Sequence, residues 1–232
     1  MDLISRLQFF SPLDAVAVVA ILIAWFAVAY VIEHPAAHRV STAVLMEKYR
    51  VSWMEHYITR SPRVFDSMVM GNLRQGASFF ASTCLIAVGG GLALVGNTDQ
   101  LLGLAEDLSL ENAPAVIWDV KIVFMLLFLA NGLFKFIWSY RLFGYCLIVM
   151  GAAPNDEGEM AYHRAHQAAG IANSAARSFN RGLRAVYFAL GAAAWLLGPV
   201  ALLVATAIVI SILLRREFAS KSRLVLLNKA PE

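Results

Sequence analysis

The stretch whose reading decides the fold is WDVKIVFMLLFLANGLFKFIWSYRLFGYCLIVM, residues 118–150. It is longer than the roughly 20 residues that carry a helix across a hydrocarbon core of about 30 Å. It also holds Lys121, Asn131, Lys135 and Arg141. A charge at the centre of a bilayer costs about 3 kcal/mol or more, so each needs a partner, a route to the interface, or water. Three further apolar runs, at 13–32, 77–95 and 185–214, reach spanning length.

The composition agrees with a membrane class. Of 232 residues, 59% are hydrophobic and 15% charged, against roughly 45–50% apolar in soluble domains. The expected fold is all-α, a polytopic membrane helical bundle with four transmembrane helices and helical cytoplasmic extensions. The crossings fall at about 13–32, 77–95, 117–137 and 190–212, in one membrane domain over 1–218, with a basic tail at 219–232. The first run leads directly into Glu33-His34-Pro35 and reads as a retained helix rather than a removed leader.

Charge sets the expected sides. Residues 33–76 and 151–184 carry Arg39, Lys48, Arg50, Arg60, Arg63, Arg74, Arg164, Arg177, Arg181 and Arg184, whereas 97–116 carry only acids. The positive-inside rule makes the first two cytoplasmic and puts the N-terminus outside. Four crossings then leave the C-terminus outside too, against Arg215, Arg216, Lys221, Arg223 and Lys229 in the tail. Either the tail is an exception or Gly198-Pro199 turns the fourth run back on itself; one kinked crossing is the expectation carried forward.

The cytoplasmic segments carry helical signals of their own. Helices are expected at about 36–60, 62–76, 138–150 and 155–184. Val40, Val44, Val51, Met54 and Ile58 recur at helical spacing beside Tyr49, Trp53 and Tyr57. Ser61-Pro62 offers an N-cap and a first-turn proline. Beyond Asn155-Asp156, a stripe of Tyr162, Ala165, Ala169, Ala172, Ala176, Phe179 and Leu183 runs beside a polar one of His163, His166, Gly170, Asn173, Arg177, Asn180 and Arg184. Residues 142–150 are expected to leave the bilayer and stay buried against that helix.

No Gly-rich phosphate loop, nucleophile elbow or paired-cysteine metal spacing is present, and Cys84 and Cys146 lie inside apolar runs. The expectations are no cofactor, no metal site, no catalytic residues and no nucleic-acid partner. Five histidines are fewer than the sets of desaturase-like di-iron sites, so His34, His38, His56, His163 and His166 read as interfacial or solvated.

The functional surface is sought at Lys135, Asn131, Arg141, Arg184, Asn180, Arg74 and Asp66, as a ligand site or polar path. Lys135 either snorkels to the interface or lines a wet route. Arg63, Arg74, Arg177, Arg181 and Arg184, with Asp66 as a partner, read either as ordinary inside-positive charge or as a vestibule for a phosphate or carboxylate. The expected function is transport or permeation as a homo-oligomer. The alternative is a non-catalytic scaffold or accessory subunit that binds a larger membrane complex or anionic lipid, in a bacterial inner membrane.

Phe79-Phe80-Ala81-Ser82, Phe136-Ile137-Trp138-Ser139-Tyr140-Arg141, Phe179-Asn180-Arg181-Gly182-Leu183-Arg184 and Arg216-Glu217-Phe218 together carry a resemblance. In their order along the chain they resemble the bacterial and plant membrane proteins grouped as domain of unknown function five-nine-nine. The resemblance covers most of the chain, up to Phe218. It implies a multi-helix membrane protein and transfers no catalytic or binding residue.

Overall fold

Apolar length dictates most of the helices. The computed structural model describes residues 10–36, 39–95, 97 and 115–228. They form α1 (Pro12–Glu33), α2 (Thr42–Ile58), α3 (Val64–Leu94), α4 (Ala115–Gly151), α5 (Glu159–Ala193), a 3₁₀ turn (Ala194–Leu197), α6 (Pro199–Phe218) and α7 (Lys221–Leu227). The described residues contain no strand. The acidic segment around Asp99 to Glu111 lies outside them, as do His38 and Lys229.

Four helical spans are long and apolar enough to cross a membrane: Pro12–Glu33, Val64–Leu94, Val116–Gly151 and Pro199–Leu227. Their most apolar windows are poorly buried, only 17% in α3. Apolar surface on that scale needs lipid rather than water around it, which makes this a membrane protein.

The chain divides into two compact units. The first comprises Met1–Tyr30, Thr83–Gly132 and Leu183–Leu213; the second comprises Val31–Ser82, Leu133–Gly182 and Leu214–Glu232. Every boundary falls inside a helix. Among the described residues, all lysines and arginines except Lys121 and Arg184 belong to the second unit.

In the first unit, Trp25, Phe128 and Phe188 form an aromatic chain, with ring centroids 5.1 and 6.2 Å apart. Gly91 admits the Leu126 side chain where a Cβ would stand 2.5 Å from its Cδ2. Ser11 and Asp14 cap the start of α1: the Ser11 hydroxyl and amide donate to Asp14 Oδ2 at 2.7 and 3.0 Å. Trp195 Nε1 donates to Asp14 Oδ1 at 2.7 Å, so this buried acid joins α1 to the 3₁₀ turn.

The fourth apolar run departs from the single kinked crossing expected at 190–212. α5 ends at Ala193, and Gly198 follows with φ +115° and ψ 169°, a combination open essentially only to glycine. Pro199 then starts α6 with the fixed φ that suits a first helical position. A Cβ on Gly191 would lie 3.3 Å from Val209 Cγ2 and 4.0 Å from the Ala205 carbonyl oxygen. In a continuous helix Gly191 and Val209 would be about 27 Å apart. The chain therefore doubles back at Gly198-Pro199.

In the second unit, alanines let α5 pack closely. Ala161, Ala165, Ala168, Ala172 and Ala175 are buried with Met70, Phe143, Cys146 and Met150. Ala165 and Ala172, with the equally buried Ala169, belong to the expected stripe, and its Tyr162 and Phe179 pack partly buried against the same cluster; Ala161, Ala168 and Ala175 widen the face on one side. α4 and α5 run antiparallel, joined by Ser178 Oγ to the Lys135 carbonyl (2.8 Å), Ser139 Oγ to the Ala175 carbonyl (2.8 Å) and Cys146 Sγ to the Ala168 carbonyl (3.3 Å). Side chains that donate to backbone oxygens hold helices together in apolar surroundings.

α2 begins at Thr42, later than the expected 36. Ser41 caps it, accepting from the Val44 amide at 3.4 Å while its hydroxyl donates to the Ile32 carbonyl at 3.0 Å. The next helix begins at Val64, and Ser61-Pro62 precede it instead of capping it. The connection is held by Arg63, which donates to the carbonyls of Ile58 (2.9 Å) and Pro154 (2.9 Å).

The motif blocks meet in this unit as packing. Phe80 and Phe136 stack at 5.2 Å, and Phe179 meets both rings edge-on at 5.5 and 5.3 Å. Glu217 accepts the Ala43 amide at 3.1 Å, which satisfies a free donor at the start of α2. Its carbonyl accepts the Thr42 hydroxyl at 3.1 Å.

Candidate lipid-headgroup site

The second unit carries a polar seam and two open grooves. The seam joins α2 to α5: Arg50 donates to Asn173 Oδ1 at 3.1 Å, Arg177 pairs with Glu47 at 3.0 Å, and His166 lies 3.7 Å from the Glu55 carboxylate. Arg181 makes a two-pronged contact with Glu33, which holds the guanidinium above its ordinary pKa against the opposing pull of burial. Burial lowers the Arg50 pKa, and the neighbouring Glu47 charge partly offsets it. Arg177 and Arg181 are therefore neutralised where they sit.

Asp66, expected as a partner for the basic cluster, is fully buried. Its Oδ1 accepts from Trp53 Nε1 at 2.6 Å and from Arg60 at 2.5 Å, and its Oδ2 has no hydrogen-bond partner. One carboxylate oxygen thus gathers both bonds.

The first groove, about 340 Å³, lies beside Tyr57, Arg63, Ser67, Met150 and Asn155. Arg63 is committed there to backbone carbonyls and to the face of the Tyr57 ring, 4.8 Å away.

The second groove differs in chemistry. About 450 Å³ is enclosed by Arg74, Tyr140, Arg141, Gly144, Tyr145 and Ile148, within the roughly 300–1,000 Å³ of ligand pockets. Arg74 donates to the Tyr140 hydroxyl at 2.5 Å and lies 4.4 Å from the centre of its ring. Its Nε is buried without an acceptor. Arg141 donates to the Tyr145 hydroxyl at 2.8 Å and lies 5.9 Å from the Trp138 ring. Among the described residues neither guanidinium forms an ion pair.

The structure thus brings Arg74 and Arg141 to one groove and leaves the other sought residues elsewhere. Lys135 is half-buried on α4, and its ammonium makes no ion pair among the described residues. Asn180 is half-buried on α5. Asn131 and the buried Arg184 belong to the first unit. Sequence reading passed over Tyr140, Gly144 and Tyr145. The signal was there in Arg141 and Tyr145, four residues apart on one helix, where side chains meet.

Among the described residues no three histidine, cysteine or acidic side chains gather as a metal site. A family model described as protein of unknown function, DUF599, matches residues 16–222. No curated protein and no solved structure matches the chain.

Proposed function

The chain belongs to this family of unknown function, and from that premise we propose that it is a non-catalytic integral membrane scaffold whose basic unit rests on anionic lipid headgroups. One observation carries the reading, the exposed stripe of α4. Val120, Val123, Leu127, Phe134 and Ile137 are exposed at helical spacing, and the stripe then turns to Trp138, Arg141 and Tyr145. Val120 to Ile137 is about 26 Å of helix, close to one hydrocarbon core. Tryptophan, tyrosine and arginine are the side chains of the membrane interface. Basic residues there each gain about 1 kcal/mol from an anionic leaflet. The bilayer in this reading is a bacterial inner membrane, and its cytoplasmic leaflet faces the second unit's arginines.

The test is lipid selectivity. The full chain is reconstituted in vesicles of zwitterionic lipid with a fraction of phosphatidylglycerol, and spin-labelled lipids report the motionally restricted shell. An enrichment of the anionic label that weakens with salt supports the reading. Equal restriction of anionic and zwitterionic labels refutes it.

Permeation through a homo-oligomer is the second reading, favoured by the Lys135 ammonium, which makes no ion pair among the described residues, inside a span of membrane length. It requires anion flux in reconstituted vesicles that Lys135→Met abolishes without disturbing assembly. Flux unchanged by that substitution removes it.

A further inference from the structure

We infer that the groove between Arg74 and Arg141 is a discrete site for one anionic phospholipid. The inference rests on the headgroup-facing reading above and narrows it to one stoichiometric ligand. The groove offers donors almost exclusively. Arg74 keeps a buried Nε–H without an acceptor. Tyr140 and Tyr145 each use the phenol oxygen to accept from an arginine, which leaves both O–H protons to give. Among the described residues no carboxylate or amide side chain lines the groove.

Such a set of donors calls for a group that only accepts and that carries negative charge. A phosphate diester answers both needs, and guanidinium groups match its geometry. Two arginines without ion pairs supply the charge.

The walls distinguish a lipid from a soluble phosphate. Leu147 and Ile148 border the polar end, and Ile148 is 70% exposed. The groove opens on the stripe that also bears Ile137 and Trp138, so an acyl chain can follow apolar surface away from the arginines. Gly144 forms the floor beside Arg74: an added Cβ would stand in ordinary contact 3.7 Å from its Nε, and a longer side chain would extend into the groove.

The experiment uses the full chain in nanodiscs of zwitterionic lipid and titrates in dansyl-labelled phosphatidylglycerol, with energy transfer from tryptophan as the readout. Saturation at one lipid per chain is expected. Arg74→Gln with Arg141→Gln should weaken it at least tenfold, since hydrogen bonds to charged groups are each worth that factor or more. Arg215→Gln with Arg216→Gln removes equal charge from the same unit outside the groove and should leave the discrete site intact. Gly144→Leu keeps both arginines and fills the space; it should also abolish saturation, and it serves where the double arginine variant fails to fold.

Equal weakening by the two double variants, or saturation unaffected by Gly144→Leu, overturns the site while the general preference for anionic lipid stands. No preference in the wild-type chain removes the underlying reading as well. Competition by soluble glycerol phosphate as strong as that by the lipid overturns the lipid assignment.

Discussion

Replacing Gly182 by alanine should destabilise the protein, although alanine is the better helix former. A Cβ at this position would lie 2.8 Å from Cε1 and Cζ of Phe136 and 2.9 Å from Cδ1. Carbon atoms settle at about 3.5–4.0 Å, so the ring must retreat by roughly 0.7 Å. It has little room. Phe136 is fully buried, stacked on Phe80 and met by the edge of Phe179. Overpacking of this kind costs about 1–3 kcal/mol, and the helix propensity of alanine returns about 1 kcal/mol. The net loss should be up to about 2 kcal/mol.

Gly170 on the same helix supplies the control, because nothing stands within 4 Å of its added Cβ. Gly170→Ala should therefore gain up to about 1 kcal/mol. The assay is denaturant unfolding of the purified chain in micelles, followed by tryptophan fluorescence. Phe136→Leu should cost less in the Gly182→Ala background than in the wild-type chain, by a coupling of about 0.5–2 kcal/mol. A Gly182→Ala protein as stable as Gly170→Ala would refute the argument that these rings cannot yield.

Gly198→Ala should cost about 1–3 kcal/mol through its backbone conformation alone, readable in the same unfolding assay; a neutral result would mean that the turn is not held as described. A reporter fused after Leu227 should lie on the same side of the membrane as one inserted at Asp156, because the chain doubles back at Gly198-Pro199, and opposite sides would contradict that reversal. Arg60→Gln should destabilise by about 1–2 kcal/mol, since it removes the charge paired with the buried Asp66 carboxylate while Trp53 still donates to it and Arg60 is itself half exposed. Arg177→Gln, at the exposed Glu47 pair, should cost under about 1 kcal/mol, and the order of the two is the check. Trp195→Phe should cost about 2 kcal/mol by removing the donor to buried Asp14, and a double-mutant cycle with Asp14→Asn measures that coupling.

What was legible in the sequence is what local chemistry decides. The long apolar runs announce their helices because composition alone sets the solvent each requires. Gly198-Pro199 announces a break, but not its direction, because a glycine at φ +115° and a mild kink leave the same two letters. Arg181 could be seen as basic. Its partner Glu33, 148 residues away, could not, since nothing local in either segment encodes the pairing. The groove was half legible: Arg74 and Arg141 stand out as charges in apolar runs, whereas Tyr140 and Tyr145 read as ordinary interfacial aromatics until an arginine is found bonded to each.

The cap on α2 has a consequence for the order in which the protein can mature. Thr42 and Ala43 receive their partners from Glu217, some 175 residues later in the chain, and the Val40 carbonyl receives Arg223 at 2.8 Å. At a synthesis rate of about 5–20 residues per second, those groups wait on the order of 10 to 35 s for their partners. The Ala43 amide and the Thr42 hydroxyl thus stay open until the segment through Glu217 has been made. A ribosome product cut short before Glu217 would leave the Ala43 amide without its partner at a helix start that Ser41 alone then caps.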